Sequence, residues 1–188
     1  MDSIEKRLDR IRTRFSDEGF LTNKGLSNEV GLYIFSYSPN DEMAVRAFIT
    51  SLKNEVNAPA STRRILHYDL YDVLLDILRS RRLLDRIPQK EAQIGQQALL
   101  GHIQKIAGPE AYVERLRYDD HRKGDIVLIS GIGKVYPYMR SHNILNNIQH
   151  VFSDVPVVMF YPGEYNGQSL RLFERFSDDN YYRAFNLM

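Results

Sequence analysis

Two short apolar runs joined by an amphipathic stretch constrain this chain more than any other feature. They lie within GDIVLISGIGKVYPYMRSHNILNNIQHVFSDVPVVMFYPGEYNGQSLRLF, residues 124–173, at 126–130 and 157–161. Runs that are apolar throughout read as strands buried on both faces, the pattern of a parallel sheet covered by helices. A helix expected over 139–152 supplies the crossover that parallel neighbours need. Each run is followed by a loop rich in Gly, Pro, Tyr and polar groups, which places a binding surface at one edge of the sheet.

The rest of the chain continues this alternation. Ile4, Leu8, Ile11 and Phe15 recur at helical spacing, so residues 2–15 are expected to form an amphipathic helix, with a loop over 19–28. GLYIFSY, residues 31–37, reads as a strand, and SPND, 38–41, as a turn that also supplies a helix N-cap. The helix then runs over 42–56, burying Met43, Ala47, Phe48 and Leu52. NAPAST at 57–62 breaks the chain before a strand at 64–68 and a helix at 70–84 that turns Leu70, Val73, Leu74, Ile77 and Leu78 inward. Pro88 ends that element. A helix follows at 89–106, offering Ile94, Ala98, Ile103 and Ile106 for burial, then a short one at 110–116 and a charged loop, YDDHRKGD, at 118–125. A last short helix is expected at 168–176 and an edge strand at 181–187. These elements predict an α/β fold: a three-layer, mainly parallel Rossmann-like sheet of about five strands with helices on both faces. Residues 1–188 are expected to be one domain, with 79–120 a helical insertion inside it, because no flexible linker flanks that region.

The bulk chemistry excludes several classes. With 25 Lys and Arg against 24 Asp and Glu, the net charge is +1, so no global field draws the chain to nucleic acid or an acidic membrane. There is no cysteine, hence neither disulfides nor thiolate chemistry. The charged N-terminus lacks the apolar core of a signal peptide, and no run approaches the ~20 apolar residues of a membrane span. A cytoplasmic protein without membrane contact is the expectation.

Several constellations invite a chemical reading, and each has a plainer one. GIGK at 131–134 resembles a phosphate loop, but Val135 stands where magnesium binding needs a hydroxyl, and Pro137 delays the helix. Two glycines making a tight turn account for it. His142 and His150 lie about two turns apart on the expected 139–152 helix, beside Asn143, Asn146, Asn147 and Gln149. Without a second ligand cluster they are surface or capping histidines, and the Asn-rich face is either solvated or hydrogen-bonded to a partner. Arg79, Arg81, Arg82 and Arg86 form the dense basic run, a weak candidate for DNA or RNA contact. Asp76 and Asp85 lie beside it, and a helix C-terminus favours cations in any case. Asp41, Asp69 and Glu164 are a conceivable carboxylate cluster, although capping explains Asp41 and a turn explains Glu164. The 12 tyrosines, with Tyr181 and Tyr182 near the end, suit either an interface or the core. No catalytic motif, cofactor motif or metal motif appears, so the chain is expected not to be an enzyme and to take no cofactor.

GDIVLISGIGKVYPYMRSHNILNNI, DVPVVMFYPGEYNGQSLRLF and DDNYYRAFNL together resemble the C-terminal half of the BrxB family of bacteriophage exclusion (BREX) systems. The resemblance covers residues 124–188 and extends more weakly over 1–123. It implies a small, non-catalytic component of a system that methylates host DNA and excludes phage, working with other BREX components. PglZ, the alkaline-phosphatase-fold member, is the expected partner. No active site carries over. The motif-bearing loops point to an edge made by Lys134, Tyr136, Arg140, His142, Asn146, Glu164, Tyr165 and Asn166 as the partner-binding surface, and the resemblance makes adaptor the leading role. The alternative is a nucleic-acid- or nucleotide-binding component of the same system.

Overall fold

The computed structural model describes residues 2–22, 31–148, 151–152, 154–178 and 184–188. Its strands are β1 (Leu32–Tyr37), β2 (Arg64–Asp69), β3 (Asp125–Ser130), β4 (Val157–Tyr165), β5 (Leu170–Leu172), β6 (Phe176–Asp178) and β7 (Phe185–Asn186). Its helices are α1 (Ile4–Arg14), α2 (Glu18–Leu21), α3 (Glu42–Val56), α4 (Leu70–Ser80), α5 (Ile87–Ile94), α6 (Gln96–Ile106), α7 (Pro109–Leu116), α8 (Ile132–Val135) and α9 (Ser141–Ile148). The fold is α/β, as the alternation predicts. Parallel strands run in the order β2-β3-β4-β1-β7, and β5 and β6 add an antiparallel extension to the end of β4.

The winding explains the layers. From β1 the chain crosses by α3 to the far strand, β2, and then steps back through β3 to β4. Right-handed crossovers running in opposite directions place their helices on opposite faces. Two separate cores result. Leu8, Ile11, Phe48 and Leu52 from α1 and α3 pack with Ile126, Leu128, Val158 and Phe160 on one face. Leu74, Ile103, Tyr112 and Ile144 pack with Val127, Ile129, Val157 and Met159 on the other. Alternate residues of β3 and β4 therefore enter different cores, which is why both runs are apolar without interruption. The strands are in register at Val127–Val157 and Ile129–Met159.

Several expectations need correction. The buried face of α3 is Val45, Phe48, Ile49, Leu52 and Val56, an i, i+3, i+4, i+7, i+11 stripe, while Met43 is 72% exposed and Ala47 is also outside it. Met43 sits two residues before the stripe, about 200° around the helix. Asp41 makes no side-chain cap; it belongs to a 3₁₀ turn, Pro39–Asp41. Within the loop expected at 19–28, α2 is a single turn capped by Asp17, whose carboxylate accepts the Phe20 N–H at 2.8 Å. Helix α4 stops at Ser80, not 84. Its end is a Schellman motif: Leu83 N–H reaches Leu78 O and Arg82 N–H reaches Arg79 O, both at 2.9 Å, with Arg82 left-handed at φ +55°. Pro88 begins α5 rather than ending its predecessor, a position where the missing N–H costs nothing. Gly95, at φ +79°, then divides the helix expected at 89–106, so Leu99 and Ile103 are buried while Ile94 and Ala98 face out.

The helix expected at 168–176 is a hairpin. Phe173 and Glu174 both have positive φ, and Arg175 N–H closes on Leu172 O at 3.0 Å, a type I′ turn. Such turns favour Asn-Gly; side chains there cost about 1–2 kcal/mol per residue. Strand β4 continues to Tyr165 to pair with β5. The expected edge strand shortens to β7, paired with β1, and Tyr181 and Tyr182 lie outside the described residues, as do Gln149 and His150.

The charged loop at 118–125 closes on Asp125, which is buried. Its carboxylate accepts from Arg64 Nε at 2.9 Å and Nη2 at 2.7 Å, from Arg122 N–H at 3.0 Å and from the Tyr118 hydroxyl at 3.1 Å. Burial alone pushes this carboxyl up, but Arg64 first, then the Arg122 amide and Tyr118, hold it below its ordinary value. A depressed folded-state pKa gives stability that is present above the unfolded value, ~3.9, and is lost as pH falls through the folded one. Asp125→Asn is expected to cost about 1–3 kcal/mol at neutral pH by removing the buried carboxylate that Arg64, the Arg122 N–H and the Tyr118 hydroxyl share, and to flatten the acid limb of a stability-pH curve below about pH 4, measured by urea melts. Arg82→Gly is expected to stabilise the protein by about 0.5–1 kcal/mol in the same melts, because glycine takes the left-handed C′ position without strain.

Candidate functional site

The carboxyl ends of β2, β3, β4 and β1 form one edge. The chain leaves β1 toward one face through α3 and leaves β3 toward the other through α8, so the order reverses beside β4. Crevices in open α/β sheets lie at such reversals. Tyr37, at the end of β1, donates its hydroxyl to Glu42 Oε2 at 2.6 Å, and Glu42 Oε1 accepts from Arg46 Nε at 2.7 Å. Burial, then the hydrogen bond and charge of Glu42, push the Tyr37 hydroxyl well above its usual pKa. A small crevice of about 170 Å³ opens here, lined by Pro39, Glu42, Arg46, Lys134, Pro162 and Phe173.

Asp69, the last residue of β2, caps α4 by accepting the N–H groups of Tyr71 at 3.0 Å and Asp72 at 3.4 Å. The same carboxylate pairs with Lys134, whose ammonium also lies 5.9 Å from the Tyr71 ring centre. This settles what GIGK does. Its residues form no tight turn but open α8, one turn of helix. Gly131 is left-handed at φ +77°, and a Cβ there would collide with the Asp69 carboxylate. A Cβ at Gly133 would meet the Phe173 ring at 2.8 Å. Both glycines answer to close approach, and the lysine to a carboxylate.

The conceivable carboxylate cluster does not assemble as a metal site among the described residues. Asp69 is bound to Lys134. Glu164 is exposed and pairs with Arg171 at 3.2 Å across β4 and β5, and among the described residues no group of three His, Asp or Glu could hold a metal ion. Of the surface expected for a partner, Tyr136 and Arg140 line one cavity, Asn146 is exposed on α9, and His142 is half-buried. Asn166 is exposed and stiffens the β4–β5 turn, its Oδ1 accepting from Gln168 and Ser169 N–H at 2.9 and 2.8 Å. Tyr165 is not on this surface. It is buried, and its hydroxyl donates to Ala184 O at 2.6 Å, because β4 extends far enough to carry it into the core.

Arg79, Arg81, Arg82 and Arg86 are exposed at the other end of α4, away from this edge, and Arg79 is paired with Asp76. One polar pair escaped sequence reasoning. His67 Nε2 lies 2.8 Å from Ser130 Oγ, and burial, then Lys53, lower the His67 pKa. It joins neighbouring strands at positions that no local spacing connects. Gly131→Ala is expected to lower stability by at least about 1–2 kcal/mol, since it demands a left-handed alanine and displaces Asp69; thermal melts of this variant beside Gly101→Ala, an open helical site, check it.

Among the described residues no helix is long and apolar enough to cross a membrane. No solved structure gave a significant match. The family model described as BREX protein BrxB matches residues 66–187. A Bacillus cereus (strain H3081.97) protein named BREX protein BrxB is 40% identical, covering 100% of this chain and 99% of its own length. An Escherichia coli O9:H4 (strain HS) protein of the same name is 30% identical, covering 98% of this chain and 92% of its own. The family model spans the edge from Asp69 to the β5–β6 hairpin, and both relatives align over at least 92% of either chain: the chain belongs to the BrxB family of BREX proteins.

Proposed function

We propose that this chain is a non-catalytic adaptor of a BREX phage-defence complex, supporting host-DNA methylation and phage exclusion by holding other components together, PglZ among them. The observation that supports this reading most is the chemistry of the carboxyl edge. Its charges are largely spent on one another: Lys134 on Asp69, Arg46 on Glu42, Arg171 on Glu164. Two large apolar side chains nevertheless stand out there, Met43 at 72% and Phe176 at 48% exposed. Exposed apolar side chains at an edge where most charged groups are paired with one another suit a protein interface better than a reaction centre. The partnership with PglZ follows from family resemblance.

The test is affinity purification of the tagged chain from cells carrying the whole BREX gene set. Wild-type protein is expected to retain at least one other component, PglZ first. Met43→Glu combined with Phe176→Glu is expected to lower that recovery about tenfold or more at unchanged melting temperature. Recovery of no BREX component by the wild type would sink the adaptor reading.

A further inference from the structure

A second, larger cavity lies beside the crevice, between α8, α9 and the β5–β6 hairpin, with a volume of about 340 Å³. Its floor is apolar, made by Ile132, Met139 and Leu172, and its mouth carries Arg140 and Arg175. Neither guanidinium makes a hydrogen bond or ion pair with any described residue, and no carboxylate among the described residues lines the cavity. This contrasts with the crevice, where the charges are paired. Two exposed guanidiniums without a partner among the described residues face one cavity, an arrangement complementary to an anion. A single carboxylate is satisfied by one fork, whereas a phosphate presents oxygens enough for two.

The opposite wall is aromatic. Phe176 stacks at a tilt on Tyr136, ring centres 5.1 Å apart at 31°, yet remains half-exposed toward the cavity. It is held there by the type I′ turn, in which Phe173 and Glu174 adopt left-handed conformations that neither side chain favours. The same turn sets Arg175 beside it. One strained turn thus positions a cation and a flat apolar face on the same small cavity, at the sheet edge where α/β folds receive ligands. The volume is that of a small-molecule site.

We propose that this cavity binds a nucleoside phosphate, with the phosphate between Arg140 and Arg175 and the base against Phe176. The site takes Ile132 from GIGK for its floor but not the lysine, which is committed to Asp69, and it is separate from the arginine run at the far end of α4.

Fluorescence anisotropy with a mant-labelled AMP tests it, with competition by unlabelled AMP, adenosine and inorganic phosphate at low salt. Wild-type protein is expected to bind AMP more tightly than either fragment. Arg140→Gln and Arg175→Gln are each expected to weaken binding about tenfold, and Phe176→Leu to reduce the preference for AMP over phosphate, all with the wild-type circular dichroism spectrum. Lys123→Gln, on an exposed remote loop, is expected to change nothing. Absence of AMP binding by folded wild-type protein overturns the proposal. So does adenosine or phosphate competing as well as AMP, or arginine variants that bind like the wild type. The adaptor reading survives such a failure, because it is judged by recovery of partner proteins.

Discussion

The Asp69 carboxylate is the contact on which the carboxyl edge depends. It ends β2, caps α4, neutralises Lys134 and occupies the space a side chain at Gly131 would need. Two consecutive elements, β2 and α4, are thereby fixed at one point to a third, α8, from a distant part of the sequence. A capped helix start alone is worth about 1 kcal/mol, and a charge-assisted contact adds to it. The larger effect is geometric: with α8 locked against β2, Gly133 sits under Phe173, and the hairpin carrying Phe173 has one place to lie.

The strands were the most legible part of the chain. Apolar runs at 126–130 and 157–161 had to be strands covered on both faces, and two cores on opposite faces follow from that with a single reversal of winding. Helix faces were less legible. Met43 looked like a core residue by composition, and only the stripe from Val45 to Val56 shows that it points elsewhere. The hairpin at 170–178 was not legible at all, since its turn lacks the Gly or Asn by which such turns are recognised, and its residues Leu170–Leu172 are too few to display a period.

The site was legible in outline only. Loops after strands had to gather at one edge, and Tyr136 and Arg140 do share a cavity there. Which charges are free and which are paired was hidden, because the pairing partners of Lys134, Glu164 and Arg64 lie on other strands or their loops. Tyr165 and Arg175 exchanged roles for the same reason. The tyrosine looked exposed in a loop motif and is buried, while the arginine looked helical and stands at a cavity mouth.

The position of β1 has a consequence for synthesis. Among the described strands it is the first to leave the ribosome, yet its two neighbours in the sheet are β4 and β7, the last long strand and the last strand of that set. Until β4 and β7 have emerged, β1 has both edges unpaired and the aromatic face of Tyr33, Phe35 and Tyr37 without its strand partners. Closure of this sheet must therefore come late and rest on contacts far apart in sequence, which slows folding and leaves a nascent strand open to capture by another chain.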